Sequence, residues 1–458
     1  MQRVTLSLHE EIATRLRAHA DGPLEVAGVL IVGVSETVDE LRLTGRWLEP
    51  AAPETYIEQT SRQLRLDSDA YMPALARAEA AGSLALFMHT HPDRDPIMSR
   101  FDDEVDELLR SVFQIRTGSD LYGSIVIRLV DGEVSFSGRV WRGDIPVGPI
   151  ELLREVGDRF RFTSAMDAPA PVPVAAAFDR QVRAFGGPIQ QLLASLHIGI
   201  VGVGGTGSAM AEPLMRSGVK ELTVVDYQDL EDTNVTRLFG SRMEDVGRPK
   251  VDVIVDNALR IGLGTKVNTI NGKVTRSVID ALRACDIIFA CTDDNAGRLD
   301  VARLAYWCLI PVFDLGVLLD STDGELRGIY GRVDVQVPGT ACVSCSEVVD
   351  QDRLRAEQMP EHELAELQRQ GYAPEMDYPD PAVIAFTMRT AAEAFSELIL
   401  RITGAADQAP SRTMTFIHDR RIHLTTDPTV PGHWCGDRAI WGRGVTSRRF
   451  LGRAWPTS

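Results

Sequence analysis

Apolar positions in this chain fall into short runs that end in glycine, proline or charge, and the spacing within each run predicts its element. Val4 to Leu8 alternates as a strand does, whereas Glu11 to Ala20 places Ile12, Leu16 and His19 on one side of a helix. Gly22-Pro23 breaks the chain before the apolar run Leu24 to Gly33, and Leu84 to Met88 is a second buried strand that passes directly into His89-Thr90-His91-Pro92. Tyr122–Val130 and Glu133–Trp141 flank Asp131-Gly132, a hairpin signal that could finish a first domain. A short helical stretch from Glu151 to Phe160 and the proline/alanine segment 168–173 then read as a semi-rigid spacer. Beyond it, Ile198–Val201, Leu222–Val225 and Asp286–Ala290 are apolar enough to be buried on both faces, as strands of a parallel sheet are.

Length allows several cores: 458 residues, 44% of them hydrophobic, with no repeat of fixed period. The excess of 65 acidic over 48 basic residues gives a formal charge of −17, which argues against nucleic acid as a partner. No apolar run reaches membrane-spanning length and the first residues lack the apolar centre of a signal peptide, so a cytoplasmic protein is expected. Six cysteines are too few and too unevenly placed for a disulfide framework, which leaves Cys342 and Cys345 as metal-binding or reactive groups.

The first candidate chemistry lies at the end of the Leu84 strand. His89 and His91, two apart on an extended segment, point to one side and can reach one ion at ~2.0–2.1 Å. Ser99 and Asp102 follow at the start of a helix predicted from about Phe101 to Val112; the Asp can supply a third ligand and leave a fourth position for water. Glu25, a lone acid at the mouth of an apolar strand, is the candidate to take that water's proton. The plainer alternative is a core histidine pair with a capping Ser and Asp. The set Glu25, His89-Thr90-His91-Pro92 and Ser99-Arg100-Phe101-Asp102 resembles the JAMM motif of the MPN/JAB metalloproteases over roughly residues 1–145. The resemblance implies an α/β metalloprotease domain in which His89, His91 and Asp102 bind a catalytic zinc, Glu25 is the general acid/base and Ser99 helps hold the oxyanion.

The second candidate site follows Ile198-Gly199-Ile200-Val201. Gly202, Gly204 and Gly207 form a G-x-G-x-x-G loop, with Gly205 inside it, where a strand meets a helix; free backbone N–H groups and a helix N-terminus there favour a phosphate. Asp226 ends the next strand, where a dinucleotide fold keeps its ribose carboxylate, so these residues alone would also suit an NAD-dependent oxidoreductase. Asn234, Arg237 and Lys250 decide against it: hydride transfer has no use for them, whereas departure of pyrophosphate from ATP needs charge on the β- and γ-phosphates. Asp293, just past the strand Asp286–Ala290, faces the same crevice and can hold Mg²⁺.

With Leu309–Asp314, Pro338-Gly339 and Asp380–Ile384, this series resembles the adenylation domain of the ubiquitin-activating superfamily, including the ThiF/MoeB-type adenylyltransferases, over about Phe178 to Thr425. The resemblance implies a Rossmann-like fold with a mixed, mostly parallel sheet. By it, Asp226 binds ribose, Asn234, Arg237 and Lys250 contact phosphates, Asp293 binds Mg²⁺, and Arg180 reaches the phosphates of an opposite subunit, which implies a homodimer. One departure is Gln228, where the family has a second acid, a change expected on the adenosine side. Cys342-Val343-Ser344-Cys345 resembles half of the family's structural zinc site; only Cys435 and Arg438 stand where the other half belongs, and His433 could complete a Cys₃His set. A thioester would fall to Cys345 or Cys342, but the chain is expected to stop at adenylation.

These readings divide the chain into a JAB/MPN domain (1–145), a linker (146–177), a ThiF-like adenylation domain (178–430) and an Arg-, Gly- and Trp-rich tail (431–458), which either packs on the adenylation domain or binds a partner. The expected function is bifunctional, in a bacterial ubiquitin-like pathway. Zinc-dependent trimming or deconjugation at a carrier's Gly-Gly end would precede Mg·ATP-dependent adenylation of the exposed glycine, with a ubiquitin-conjugating enzyme as a further partner. Activation of a sulfur-carrier protein and a catalytically silent carrier-binding module are the alternatives.

Overall fold

The computed structural model describes residues 2–168, 173–370, 381–406 and 409–444, which form two compact units. The first contains 2–168 with 307–309 and 438–444; the second contains 173–306 and 310–437.

In the first unit the chain runs β1 (Arg3–His9), α1 (Glu10–Ala20), β2 (Ala27–Glu36), β3 (Glu40–Pro50), β4 (Tyr56–Gln59), β5 (Leu64–Leu66), α2 (Met72–Ala80), β6 (Leu84–Thr90), α3 (Arg100–Thr117), β7 (Leu121–Val130), β8 (Glu133–Arg142), β9 (Ile145–Val156) and β10 (Arg161–Ser164). The strand order is β1-β3-β2-β6-β7-β8-β9-β10, and β1 also pairs with β9, so the sheet closes on itself like a barrel. Both faces of β2 and β6 are covered. Leu30, Val32, Leu86 and Met88 join one cluster with Ile12 and Leu16 of α1, while Val29, Ile31, Ala85 and Phe87 meet Leu75 of α2 and Phe113 of α3. The unbroken apolar runs read as strands have this cause: alternate residues serve two cores.

Closure corrects three expectations. The segment read as helix from Glu151 to Phe160 lies largely in β9, because its residues pair with β1 and β10. The chain therefore does not finish its first domain at the β7–β8 hairpin, and 146–168 belongs to the first unit rather than to a linker; 169–172 lie outside the described residues. Residues 438–444 of the tail belong to the first unit, where Thr44 Oγ1 donates to the Gly442 carbonyl (2.7 Å), Arg438 pairs with Glu11 (3.0 Å) and Trp441 meets the His9 ring edge-on. Trp455 and the chain end lie outside the described residues.

The second unit is built from α4 (Asp179–Phe185), α5 (Gly187–Leu193), β11 (His197–Val201), α6 (Gly205–Arg216), β12 (Glu221–Asp226), α7 (Lys250–Ile261), β13 (Lys266–Asn271), α8 (Arg276–Leu282), β14 (Ile287–Ala290), α9 (Asn295–Trp307), β15 (Val312–Thr322), β16 (Glu325–Gln336), α10 (Gln351–Glu357), α11 (Glu361–Arg369), α12 (Ile384–Thr403), β17 (Arg412–Phe416) and β18 (Arg421–Thr425). Its sheet has the order β13-β12-β11-β14-β15-β16-β17-β18, parallel from β13 to β15 and antiparallel beyond. The order reverses beside β11, and a crevice opens past the C-terminal ends of strands at such a point. Among the described residues no helix is long and apolar enough to cross a membrane.

Candidate functional sites

A cleft of about 800 Å³ lies at that reversal, lined by Gly202, Gly204, Gly205, Asp226, Gln228, Arg237, Lys250 and Asp293 among others. Gly202 has φ 82°, and a side chain there would meet the backbone of Cys291 and Thr292 at 2.9 Å. Gly207 packs so tightly that a Cβ would run into the Gly202 carbonyl; it shapes the loop from behind rather than lining the cleft. Asp226 accepts from Val203 N (2.8 Å) and Gln228 N (2.9 Å), which fixes the loop against the end of β12. Arg237 donates to the Thr233 carbonyl (3.0 Å) and Lys250 Nζ to Gln228 Oε1 (2.6 Å). Asp293 is exposed at the cleft.

Besides Gly207, two predicted residues are not part of this lining. Asn234 is buried, with its side-chain carbonyl 3.4 Å from Glu231 N, and Arg180 stands exposed on α4. The Gln228 side chain accepts from Lys250 Nζ at the cleft.

Cys342, Cys345, His433 and Cys435 come together with one ligand atom from each inside a 4.8 Å span. Cys345 Sγ lies 3.5 Å from Cys435 Sγ, and His433 Nδ1 lies 3.1 Å from Cys435 Sγ. The hydrogen bond with Cys435 holds the Cys342 thiol down to about 6. Three thiols and an imidazole in this arrangement suit a closed tetrahedral zinc site.

In the first unit His89, His91 and Asp102 converge within the same span. His89 Nε2 is 3.1 Å from Asp102 Oδ1 and 3.3 Å from His91 Nε2. Asp102 divides its carboxylate: Oδ2 accepts from Ser99 N (2.6 Å) in a capping box that starts α3, and Oδ1 faces His89. Capping and ligation are thus compatible in one residue. Burial pushes the Asp102 carboxyl up, but hydrogen bonds from His89 and Ser99 outweigh it and hold it low. His91 Nδ1 is engaged by the Asp95 carbonyl (3.1 Å), which orients Nε2 toward the cluster. Burial lowers His91 to about 4, keeping the imidazole in its neutral, ligating form near pH 7. Glu25 is buried; desolvation raises its carboxyl, and Arg94, paired at 2.6 Å, opposes the rise.

A family model described as "ThiF family" matches residues 178–431, more than half of the chain. The chain belongs to the ThiF family. Relatives include the NEDD8-activating enzyme E1 catalytic subunit of Schizosaccharomyces pombe, 28% identical over 33% of this chain and 34% of its own length. The tRNA threonylcarbamoyladenosine dehydratase of Escherichia coli is 34% identical over 28% of this chain and 48% of its own. The chain thus spans about a third to a half of these curated relatives. Escherichia coli MccB crystallised with ATP aligns at 20% identity with a TM-score of 0.44, over 57% of this chain and 74% of that one. The match to the family model lies outside residues 1–177.

Within the ThiF region the sequence reading missed two features. A row of ion pairs, Arg298–Asp314–Arg332–Asp334–Arg412, crosses the floor of the cleft from α9 over β15 and β16 to β17, where Arg412 donates to the Ser346 carbonyl (3.0 Å) beside the cysteine cluster. Glu357 of α10 caps α9 by accepting from Ala296 N (2.8 Å) and Asn295 N (3.1 Å). Burial and the Glu357 carboxylate together raise Asp294 to about 6. Alternating charges on β15–β17 were the only available signal for the row, and nothing local marks Glu357 as a cap.

Proposed function

We propose that the second unit adenylates the C-terminal glycine of a ubiquitin-like or sulfur-carrier protein. The observation that carries this reading is the convergence of the glycine loop, Asp226, Arg237, Lys250 and Asp293 on one cleft in a chain of the ThiF family. The α-phosphorus of ATP would be attacked by the carrier's terminal carboxylate; a new O–P bond forms, the bond to the bridging α–β oxygen breaks, and pyrophosphate leaves. Arg237 and Lys250 bind the leaving phosphates and take up their growing charge, the loop N–H groups orient the triphosphate, and Asp226 holds ribose. Asp293 would hold Mg²⁺, which supplies charge neutralisation for the departing pyrophosphate. Arg180, exposed on α4, would serve a second copy in a homodimer. A tRNA substrate, as named for the Escherichia coli relative, is disfavoured by the charge of −17.

For the first unit we infer a zinc-dependent protease acting at the same Gly-Gly tail. His89, His91 and Asp102 would hold the ion, whose Lewis acidity makes a bound water nucleophilic near neutral pH. Glu25 would take that water's proton and return it to the leaving amine, and the Ser99 hydroxyl would face the oxyanion. Supporting this are the clustered donors, the oriented His91 and the buried carboxylate beside them. Placing both activities in one chain raises the effective concentration of the trimmed tail. Chelator-sensitive cleavage of a carrier fusion and carrier-dependent ATP–pyrophosphate exchange test the two halves separately. No cleavage of any Gly-Gly-linked fusion by the zinc-loaded protein would contradict the first, and no exchange with any carrier would contradict the second.

A further inference from the structure

We propose that Gln228 is a positioning residue that orients Lys250 while leaving its charge undiminished, and that this neutral partner sets the affinity of the cleft for the triphosphate. The inference rests on the reading of the cleft as an ATP site.

Lys250 opens α7, and two short segments fix its position. Lys250 N donates to the Gln228 carbonyl (3.1 Å), Leu230 N to the Arg248 carbonyl (2.8 Å) and Gly247 N to the Leu230 carbonyl (2.8 Å). The backbone thus sets 228–230 against 247–250 in one register. Within that register the Lys250 ammonium donates to Gln228 Oε1 at 2.6 Å, and the residue is only 6% exposed.

A buried ammonium is ordinarily matched by a carboxylate. Asp226, which lines the same cleft, is oriented by backbone N–H groups of Val203 and Gln228, and the Lys250 ammonium is held by Gln228. The adjacent cation gives an internal contrast. Arg248, two residues earlier, is paired with two carboxylates, Asp245 (2.7 Å) and Asp256 (2.8 Å). One cation of the segment is compensated; the other is held by an amide.

The difference matters for an incoming anion. An amide oxygen aims the ammonium but carries only a partial charge, so the positive field at the cleft survives. A carboxylate in the same place would form an ion pair whose attraction the phosphates would have to share. Sequence position 228 therefore tunes nucleotide binding through Lys250 rather than through ribose.

The test compares Gln228→Glu with Gln228→Ala, using direct ATP binding to the full chain, which needs no carrier, and the kinetics of pyrophosphate exchange. Gln228→Glu keeps the length and an acceptor oxygen, so it should bind ATP about tenfold more weakly at low salt, with the deficit shrinking as ionic strength rises. Gln228→Ala removes the aim but adds no charge, and should lose no more than about threefold. The KM for ATP should rise in Gln228→Glu by more than kcat falls. Gln228 is exposed, and unchanged melting temperatures would confirm that both variants fold. If Gln228→Glu bound as tightly as wild type, or Gln228→Ala lost more than Gln228→Glu, a merely structural hydrogen bond would suffice and the proposal would be overturned. Failure of the wild type itself to bind ATP would instead overturn the reading of the cleft.

Discussion

His89, His91 and Asp102 of the first unit come from one strand end and the first turn of the next helix, are mostly buried, and already touch one another. Asp226, Arg237, Lys250 and Asp293 of the second unit come from separate elements around an open cleft of about 800 Å³, and Asp293 is exposed. The contrast matches the sizes of what each would hold. A single ion needs ligand atoms within a few ångströms of one another, and neighbouring residues on a rigid strand and a capped helix can supply them. A triphosphate with its nucleoside needs donors spread over the length of the ligand, which only a sheet's end and its loops provide.

The largest expected effect is at the compact site. Glu25→Gln should lower cleavage of a carrier fusion by about 10²- to 10⁴-fold with zinc content unchanged, read by metal analysis beside the hydrolysis assay. Equal loss of zinc and activity would make Glu25 part of the ion's support and blur the contrast between ligand and base. Next, Cys342→Ser should release metal from the second unit and lower its melting temperature, while zinc in the first unit stays. A variant that kept its full metal content would remove Cys342 from the ligand set.

A smaller effect separates the first unit's two kinds of buried charge. Glu40 lies between Arg154 and Arg42, both at 2.8 Å; burial pushes its carboxyl up, but the two arginines overcome that and hold it at about 2. Because the folded value is depressed below the unfolded 4.5, its contribution is present above pH 4.5 and is lost as pH falls from 4.5 toward 2. On the order of 3 kcal/mol is at stake. Acid unfolding followed by circular dichroism should show Glu40→Gln less stable at pH 7, with a shallower loss below pH 4.5; an unchanged acid transition would contradict the assignment.

Legibility followed the range of the interactions. The capping box at Ser99 and Asp102, the histidines on one strand face and the glycine loop are set by residues a few positions apart, and the sequence located all of them. Closure of the first sheet depends on β1 meeting β9, well over a hundred residues later, and no local pattern announces it. The stretch from Glu151 to Phe160 reads locally as helix, although pairing with β1 and β10 makes most of it strand. Asn234 was grouped with the phosphate contacts for its place in the series, yet its side chain lies beside the Glu231 backbone. Gln228 was legible as a departure from the family pattern, but the partner that gives it meaning, Lys250, could be found only in three dimensions.

The reaction proposed for the open cleft is transfer of AMP to a carrier's terminal carboxylate. ATP–pyrophosphate exchange, measured with a carrier ending in Gly-Gly and again with Asp293→Ala, tests it most directly. Exchange should require the carrier and fall by about 100-fold or more in Asp293→Ala. Exchange that proceeds unchanged without Asp293, or none with any Gly-Gly carrier while ATP still binds, would contradict it.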